Sequence, residues 1–158
     1  MKQHSANEPI ATYGQNTYAD VMAYLHSIRL TPEVMESLGH QLIFEAKNEH
    51  IGTALRRLEQ ISALEYDWDG YGAPQINKTV LDNLKKVINA SEDKDWVEWV
   101  ISPETQGTLC ITSKNQTASI SLGINEFSYY SFSMFGEKAE SHVPFTPTAF
   151  LNTMKKLI

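Results

Sequence analysis

Apolar positions along this chain follow two periods, and the period changes near residue 90. Before that point they recur every three or four residues, which is the spacing of one helix face. From residue 96 to 135 apolar and polar residues alternate, as they do along a β-strand with one buried face. Helical spacing returns after residue 146. Helices, then strands, then one helix predict an α+β fold.

Capping residues mark where the predicted helices begin. Thr31-Pro32 and Thr146-Pro147 each place a side-chain cap directly before a proline at the first helical position. Asn77 is a cap of a similar kind for a helix that runs to about residue 90. Each of these signals is local, so the predicted helix starts do not depend on the tertiary fold.

The N-terminal part is predicted to be helical after a polar tail. Residues 1–16 are polar and aperiodic, which is typical of a loose tail. Thr17 with Asp20 resembles a capping box and predicts the first helix. The apolar stripe then continues over residues 32–64, and Asn48 leaves two alternatives, one long helix or two helices. The predicted inward faces comprise Val34, Met35, Leu38, Leu42 and Ile43; Ile51, Leu55, Leu58, Ile61 and Leu64; Val80, Leu81, Leu84, Val87 and Ile88; and Phe150, Leu151, Met154 and Leu157.

Four segments alternate at strand spacing: WVEWVIS, GTLCITS, TASISLGI and FSYYSFSMF. Polar breaks such as PETQG and SKNQ separate them at the distance expected for hairpins. A fifth short strand is predicted from about Ala139 to Val143. The prediction is one domain over residues 17–158, with N-terminal helices, an antiparallel β-meander of four to five strands, and a C-terminal helix packed on the sheet.

The segment YDWDGYGAPQ, residues 66–75, concentrates turn-forming and aromatic residues between two helices. Gly70 and Gly72 permit positive φ angles, while Asp67 and Asp69 can accept hydrogen bonds from backbone amides two residues further on. Its tryptophan and tyrosine offer large apolar surfaces that would anchor the corner on the helices. These features favour a structural corner, which we call the Asp-Trp-Asp corner.

Two functional interpretations of the same corner stay open. Asp67, Trp68, Asp69 and Tyr71 combine aromatic and polar groups as small-ligand pockets do, so a ligand-binding module is the alternative function. An enzyme using Asp67 and Asp69 as an acid/base pair ranks third, since no further catalytic group converges on them. A calcium loop counted from Asp67 would require Glu where Lys78 stands. No metal and no cofactor is therefore predicted.

The strand FSYYSFSMF is apolar on both of its predicted faces. Alternation places Phe127, Tyr129 and Phe135 on one face. The opposite face comprises Tyr130, Phe132 and Met134. Either helices cover both faces, or one face forms an exposed patch that binds another protein, a second copy or a flat ligand. The partner-binding residues proposed from the sequence are Phe127, Tyr129 and Phe135.

Composition narrows the class of protein further. At 158 residues and 42% hydrophobic, the chain can bury a core. Its net charge of -6 and the lack of a basic segment argue against binding nucleic acid. The single cysteine, Cys110, cannot form an intramolecular disulfide, and we find neither a signal-peptide pattern nor an apolar run of membrane-spanning length. A cytoplasmic protein without membrane contact is the prediction.

The corner WDGYGAP after LEQISALE, followed by ISPETQG, TLCITS, ISLGI and FSYYSF, resembles a family of small uncharacterised bacterial proteins. The resemblance covers about residues 55–158 and implies a bacterial cytosolic source and the α+β layout. It carries over no catalytic residue, and it leaves residues 17–50 as a helical extension. The lack of a catalytic constellation, the acidic charge and the strand that is apolar on both faces lead instead to the hypothesis of a non-enzymatic protein-interaction module, of an accessory, immunity or antitoxin-like kind.

Overall fold

The computed structural model of the protein describes residues 23, 27, 28 and 31–158, and for 43–47 it describes the backbone alone. The helix predicted to begin at Thr17 and the tail before it lie outside these residues, apart from 23, 27 and 28. The helices of the described part are α1 (Pro32–Lys47), α2 (Glu49–Ser62), α3 (Lys78–Ala90) and α4 (Pro147–Lys156), with a short 3₁₀ helix at Asp93–Trp96.

Five antiparallel strands form one sheet in the order of the sequence: β1 (Trp99–Pro103), β2 (Leu109–Ser113), β3 (Ala118–Leu122), β4 (Glu126–Ser133) and β5 (Gly136–Pro144). The predicted α+β fold, with its meander and its C-terminal helix, is confirmed. The fifth strand is longer than predicted, because β4 and β5 pair from Ser133 opposite Gly136 to Glu126 opposite Pro144.

The strand register aligns the apolar residues in rows on one sheet face. Ile101, Ile111 and Ile120 are paired in sequence across β1, β2 and β3, and all three are almost completely buried. Leu122 pairs with Phe127 in the neighbouring row. Side chains from α2, α3 and α4 cover these rows, and together they form the core. The side chains on the opposite face of the sheet are not part of this core.

The helix caps have the predicted chemistry. Asn77 accepts a hydrogen bond from the amide of Thr79 at 2.8 Å, and Thr146 accepts one from Ala149 at 3.0 Å. The amide of Val34 approaches the hydroxyl of Thr31 at 3.4 Å. Helices α1 and α4 begin at the predicted prolines. Local sequence therefore decides these starts.

The structure resolves the alternatives for residues 32–64 into two helices, because Asn48 forms a turn between α1 and α2.

Val34 was predicted to face inward with Met35, yet Val34 is exposed and only Met35 is buried. The segment WVEWVIS begins as the end of a 3₁₀ helix rather than as a strand, so β1 starts three residues later than predicted, at Trp99.

The 3₁₀ helix links α2 and α4 to the start of the sheet. The Oδ1 atom of Asp93 accepts a hydrogen bond from the amide of Ile51 at 2.9 Å, at the N-terminal end of α2. The buried carboxylate of Asp95 accepts from the amide of Glu92 at 2.9 Å and lies 3.6 Å from Nζ of Lys155. These contacts hold α2 beside β1.

The chain divides into two compact units, residues 1–49 and 50–158. The second unit contains the whole sheet, the core described above and every site considered below. Among the described residues, no helix combines the length and apolar character needed to cross a lipid bilayer.

Candidate functional site

The Asp-Trp-Asp corner is closed by hydrogen bonds to its own backbone. Asp69 Oδ1 accepts from the amides of Tyr71 at 2.9 Å and Ala73 at 3.1 Å. Asp67 Oδ1 accepts from the amide of Gly72 at 2.6 Å, five residues along rather than the expected two. Each carboxylate therefore stabilises the backbone conformation of the corner.

The backbone of the corner requires unusual dihedral angles. Gly70 and Gly72 have φ angles of +75° and +86°, as predicted from the turn chemistry. Asp67 also has a positive φ of +66°, which aspartate tolerates better than most side chains do. Its amide donates to the carbonyl of Ala73 at 2.8 Å, so the two ends of the corner meet.

The two aromatic side chains of the corner have different environments. Trp68 is half-buried, and its Nε1 donates to the carbonyl of Pro74 at 3.0 Å. Tyr71 is 95% exposed, so the prediction that it anchors the corner on the helices is wrong. Buried contact comes instead from the aliphatic residues that follow, Ala73 and Ile76.

The corner also contacts the turn between β1 and β2. The amide of Asn77 donates to the carbonyl of Gly107 at 2.9 Å. Gly107 is buried with a φ of +81°, and a Cβ added there would lie 3.1 Å from the carbonyl oxygen of Gln75. This close approach ties the start of α3 to the sheet.

The hydrogen bonds of the corner shift the pKa of Asp69. Hydrogen bonds from the amides of Tyr71 and Ala73 lower the pKa of Asp69 below its usual value, because they stabilise the carboxylate form. A general acid at neutral pH needs the opposite shift. Among the described residues, no group of three or more His, Cys, Asp or Glu side chains is arranged to hold a metal ion.

The structure separates the three aromatic residues that alternation grouped together. Phe127 is 1% exposed and contacts Phe150 of α4, with ring centroids 5.1 Å apart. It belongs to the core, so the prediction that it contacts a partner is wrong. Tyr129 is half-buried against the core, and its hydroxyl donates to Glu140 at 3.0 Å. Phe135 is 93% exposed.

Phe135 is exposed because β4 ends at Ser133. Met134 and Phe135 form the turn to β5, followed by Gly136 with a φ of +115°. The end of the β4–β5 hairpin extends beyond the part of the sheet that the helices cover, and residues 132–142 are all exposed. Alternation describes faces within a strand and does not apply past its end.

Four apolar side chains are exposed together at this end of the hairpin. We call them the hairpin patch: Tyr130 (43% exposed), Phe132 (56%), Met134 (89%) and Phe135 (93%). Tyr130 and Phe132 lie on the sheet face opposite the core, since they alternate along β4 with Tyr129, which pairs with the core residue Ile120. Alternation placed Tyr130, Phe132 and Met134 together on a second apolar face; Tyr130 and Phe132 lie on that face and are exposed, whereas Met134 lies in the turn.

The outer edge of the hairpin is polar and bent. Strand β5 is an edge strand with exposed Glu137, Lys138 and Glu140. A bulge near His142, which has a φ of +58°, interrupts its pairing with β4. The ring Nδ1 of His142 lies 2.7 Å from Oε1 of Glu126. Charges and a bulge discourage a further strand from pairing with this edge.

The cysteine lies on the sheet face opposite the core. Its Sγ is 3.4 Å from the hydroxyl of Thr112, and partial burial raises the pKa of the Cys110 thiol. A raised pKa disfavours the thiolate, which is the reactive form. Nearby, Glu104 accepts hydrogen bonds from the hydroxyls of Thr108 at 2.6 Å and Ser121 at 2.7 Å.

Comparisons of the whole chain with models of protein families, with curated proteins and with solved structures found no match.

Proposed function

We propose that this protein is a non-enzymatic interaction module that binds another protein through the hairpin patch. The observation that supports the proposal is the exposure of Tyr130, Phe132, Met134 and Phe135 at one end of the β4–β5 hairpin. Contiguous apolar patches on soluble domains often mark interaction sites. The sequence resemblance suggests a bacterial cytosol as its setting, and an accessory, immunity or antitoxin-like role is part of the same proposal.

The composition of the patch is that of a protein interface. Aromatic residues and methionine are enriched at interfaces relative to the rest of a protein surface. Full burial of a phenylalanine side chain contributes about 1.5–3 kcal/mol. Phe132 and Phe135 would each supply much of this energy, since they are 56% and 93% exposed in the isolated chain.

The surroundings of the patch favour insertion into an apolar cleft of a different protein. Extension of the sheet along β5 is opposed by Glu137, Lys138 and Glu140 and by the bulge at His142. Association of two copies is opposed by their like net charge of -6. A hairpin with an apolar turn and a charged outer edge matches an apolar cleft with a polar rim.

The corner supports this assignment indirectly. Both carboxylates of Asp67 and Asp69 accept hydrogen bonds from the corner's own amides, and Trp68 donates to its own segment. These hydrogen bonds occupy Oδ1 of each aspartate, which favours a structural role over a catalytic pair or a ligand pocket. The corner therefore acts as a support for α3 and the sheet.

The test compares three tagged proteins: the wild type, Phe132→Ser/Phe135→Ser, and Tyr71→Ser. Tyr71 is a matched control, because it is an aromatic residue that is 95% exposed and lies in the corner instead of the hairpin. Proteins captured from the native host are quantified by mass spectrometry, and the best candidate is purified for direct titration. We expect one partner to bind the wild type and Tyr71→Ser, with an affinity for the double variant lower by about thirtyfold or more.

The double variant is first checked for an unchanged thermal midpoint, because both replaced side chains are exposed. A partner that binds all three proteins equally would show that the interface lies elsewhere. If the wild type sediments as a dimer and Phe132→Ser/Phe135→Ser as a monomer, the hairpin patch binds a second copy of this chain instead of a different protein. A monomer that binds no protein would contradict the proposal.

A further inference from the structure

A second surface feature lies at the other edge of the sheet, where α2 passes beside β1. It is a cleft of about 290 Å³, lined by residues of α2, of the 3₁₀ helix, of β1 and of the turn after β2. Ala54, Trp96 and Ile101 supply apolar lining, and all three are buried core residues. The strands β1 and β5 are opposite edges of the sheet, so this cleft is remote from the hairpin patch.

The charged groups of the cleft all have one sign. Arg56, Arg57 and Lys114 line it, together with His50, and no carboxylate does so among the residues described. None of these three cations forms an ion pair with a described carboxylate. In a chain of net charge -6, such a concentration of uncompensated positive charge creates a local site for anions.

The two arginines are oriented by neighbouring oxygen atoms. Nε of Arg57 donates to the carbonyl of Ile101 at 3.0 Å, which ties its guanidinium to β1. Nη2 of Arg56 donates to the hydroxyl of Thr53 at 3.1 Å. Each guanidinium has further N–H groups, and a planar guanidinium with such donors matches the oxygen atoms of a phosphate.

Trp99 adds an independent observation. It lines the same cleft, is 5% exposed, and its Nε1 is buried without a hydrogen-bond partner. Among the buried side-chain nitrogen and oxygen atoms of the described residues, it is the one without a hydrogen-bond partner. An unpaired buried donor costs about 1–3 kcal/mol, and buried indole groups usually have an acceptor. A ligand oxygen would supply that acceptor once a shift of the cleft wall uncovers the N–H group, which is closed off from solvent in the free protein.

We propose that this cleft binds a small phosphorylated molecule. Its phosphate is held by Arg56, Arg57 and Lys114, and one of its acceptor atoms takes the hydrogen bond from Trp99. Three cations favour a phosphate monoester, which carries close to two negative charges at neutral pH, over a monocarboxylate. The volume corresponds to the small end of ligand sites, which matches a small molecule.

The experiment titrates the full chain with phenyl phosphate, with inorganic phosphate and with benzoate, by calorimetry and by NMR of the tryptophan indole N–H groups. We expect saturable binding of phenyl phosphate and a weaker response to benzoate. The Trp99 signal, assigned with Trp99→Phe, should move on binding. The Trp68 signal should stay in place, because Trp68 does not line the cleft and its N–H donates to Pro74 within the corner.

Single-charge variants locate the site. Arg56→Gln and Lys114→Gln should each weaken phenyl phosphate binding by about tenfold or more, as expected for a lost charge-assisted hydrogen bond. Lys138→Gln is the matched control, since it removes the same charge from exposed β5 at the opposite edge of the sheet. All three residues are exposed, and circular dichroism checks that each variant is folded.

If Lys138→Gln weakened phenyl phosphate binding as much as the cleft variants do, the effect would come from overall charge, and the assignment of binding to the cleft would be wrong. Equal binding of benzoate would overturn the phosphate assignment. Binding without movement of the Trp99 signal would overturn its role as a donor, and no saturable heat or shift with any probe would overturn the proposal altogether. None of these results depends on the protein partner of the hairpin patch.

Discussion

Phe127 and Phe135 provide a direct test of how β4 is placed on the core. The two residues are eight positions apart and share the same phase of the alternating pattern. In the structure Phe127 is 1% exposed, while Phe135 is 93% exposed. Replacement of each by alanine removes the same atoms, so the difference between the two variants measures burial alone.

We expect Phe127→Ala to lower the free energy of unfolding by about 3–5 kcal/mol, the range for truncating a buried phenylalanine. Part of this loss is the edge-to-face contact with Phe150, whose ring centroid lies 5.1 Å away; such pairs contribute about 0.5–1.5 kcal/mol beyond burial. Phe135→Ala should change the free energy of unfolding by less than about 0.5 kcal/mol, as at other exposed positions.

Urea denaturation followed by tryptophan fluorescence measures both values. Trp68, Trp96 and Trp99 all lie within residues 50–158, so the signal reports on the unit that contains the sheet. With a urea dependence of about 2 kcal/mol per molar, a loss of about 4 kcal/mol lowers the midpoint by about 2 M. Similar midpoints for the two variants would mean that the end of the hairpin is packed on the core, and the reasoning about the hairpin patch would fail.

Two further predictions concern the corner and its neighbour. Gly107→Ala should destabilise by more than Gly70→Ala: both positions have positive φ, a strain of about 1–2 kcal/mol for alanine, but only at Gly107 does the new Cβ lie 3.1 Å from a backbone oxygen. Equal thermal midpoints for these two variants would refute the close contact. Asp69→Asn should lower stability at neutral pH, and its deficit relative to the wild type should shrink as the pH falls below about 3.8, because the folded protein lowers the pKa of Asp69 and loses that stabilisation when the carboxylate is protonated. Thermal unfolding of both proteins across pH 2.5–7, about the range in which carboxylates titrate, checks this; a deficit independent of pH would contradict it.

The amino-acid sequence by itself determined the local features of this protein. The caps at Asn77 and Thr146, the proline starts of α1 and α4, and the positive φ angles of Gly70 and Gly72 are all as predicted. Each of these features depends on atoms within a few residues of one another, so each can be predicted from neighbouring residues in the sequence. The change of apolar period likewise separated the helices from the strands of the α+β fold.

The tertiary structure decided how deep each strand residue lies. Alternation assigns a phase to Phe127 and Phe135 but no depth, because depth depends on how far the helices extend over the sheet. Tyr71 is an aromatic residue that could anchor the corner, yet it is exposed, because burial depends on neighbours that are distant in sequence. The cleft is the clearest case, since Arg56, Trp99 and Lys114 meet only when α2 packs beside β1. No local sequence pattern predicts that α2 lies beside β1, because packing of the core brings these two elements together.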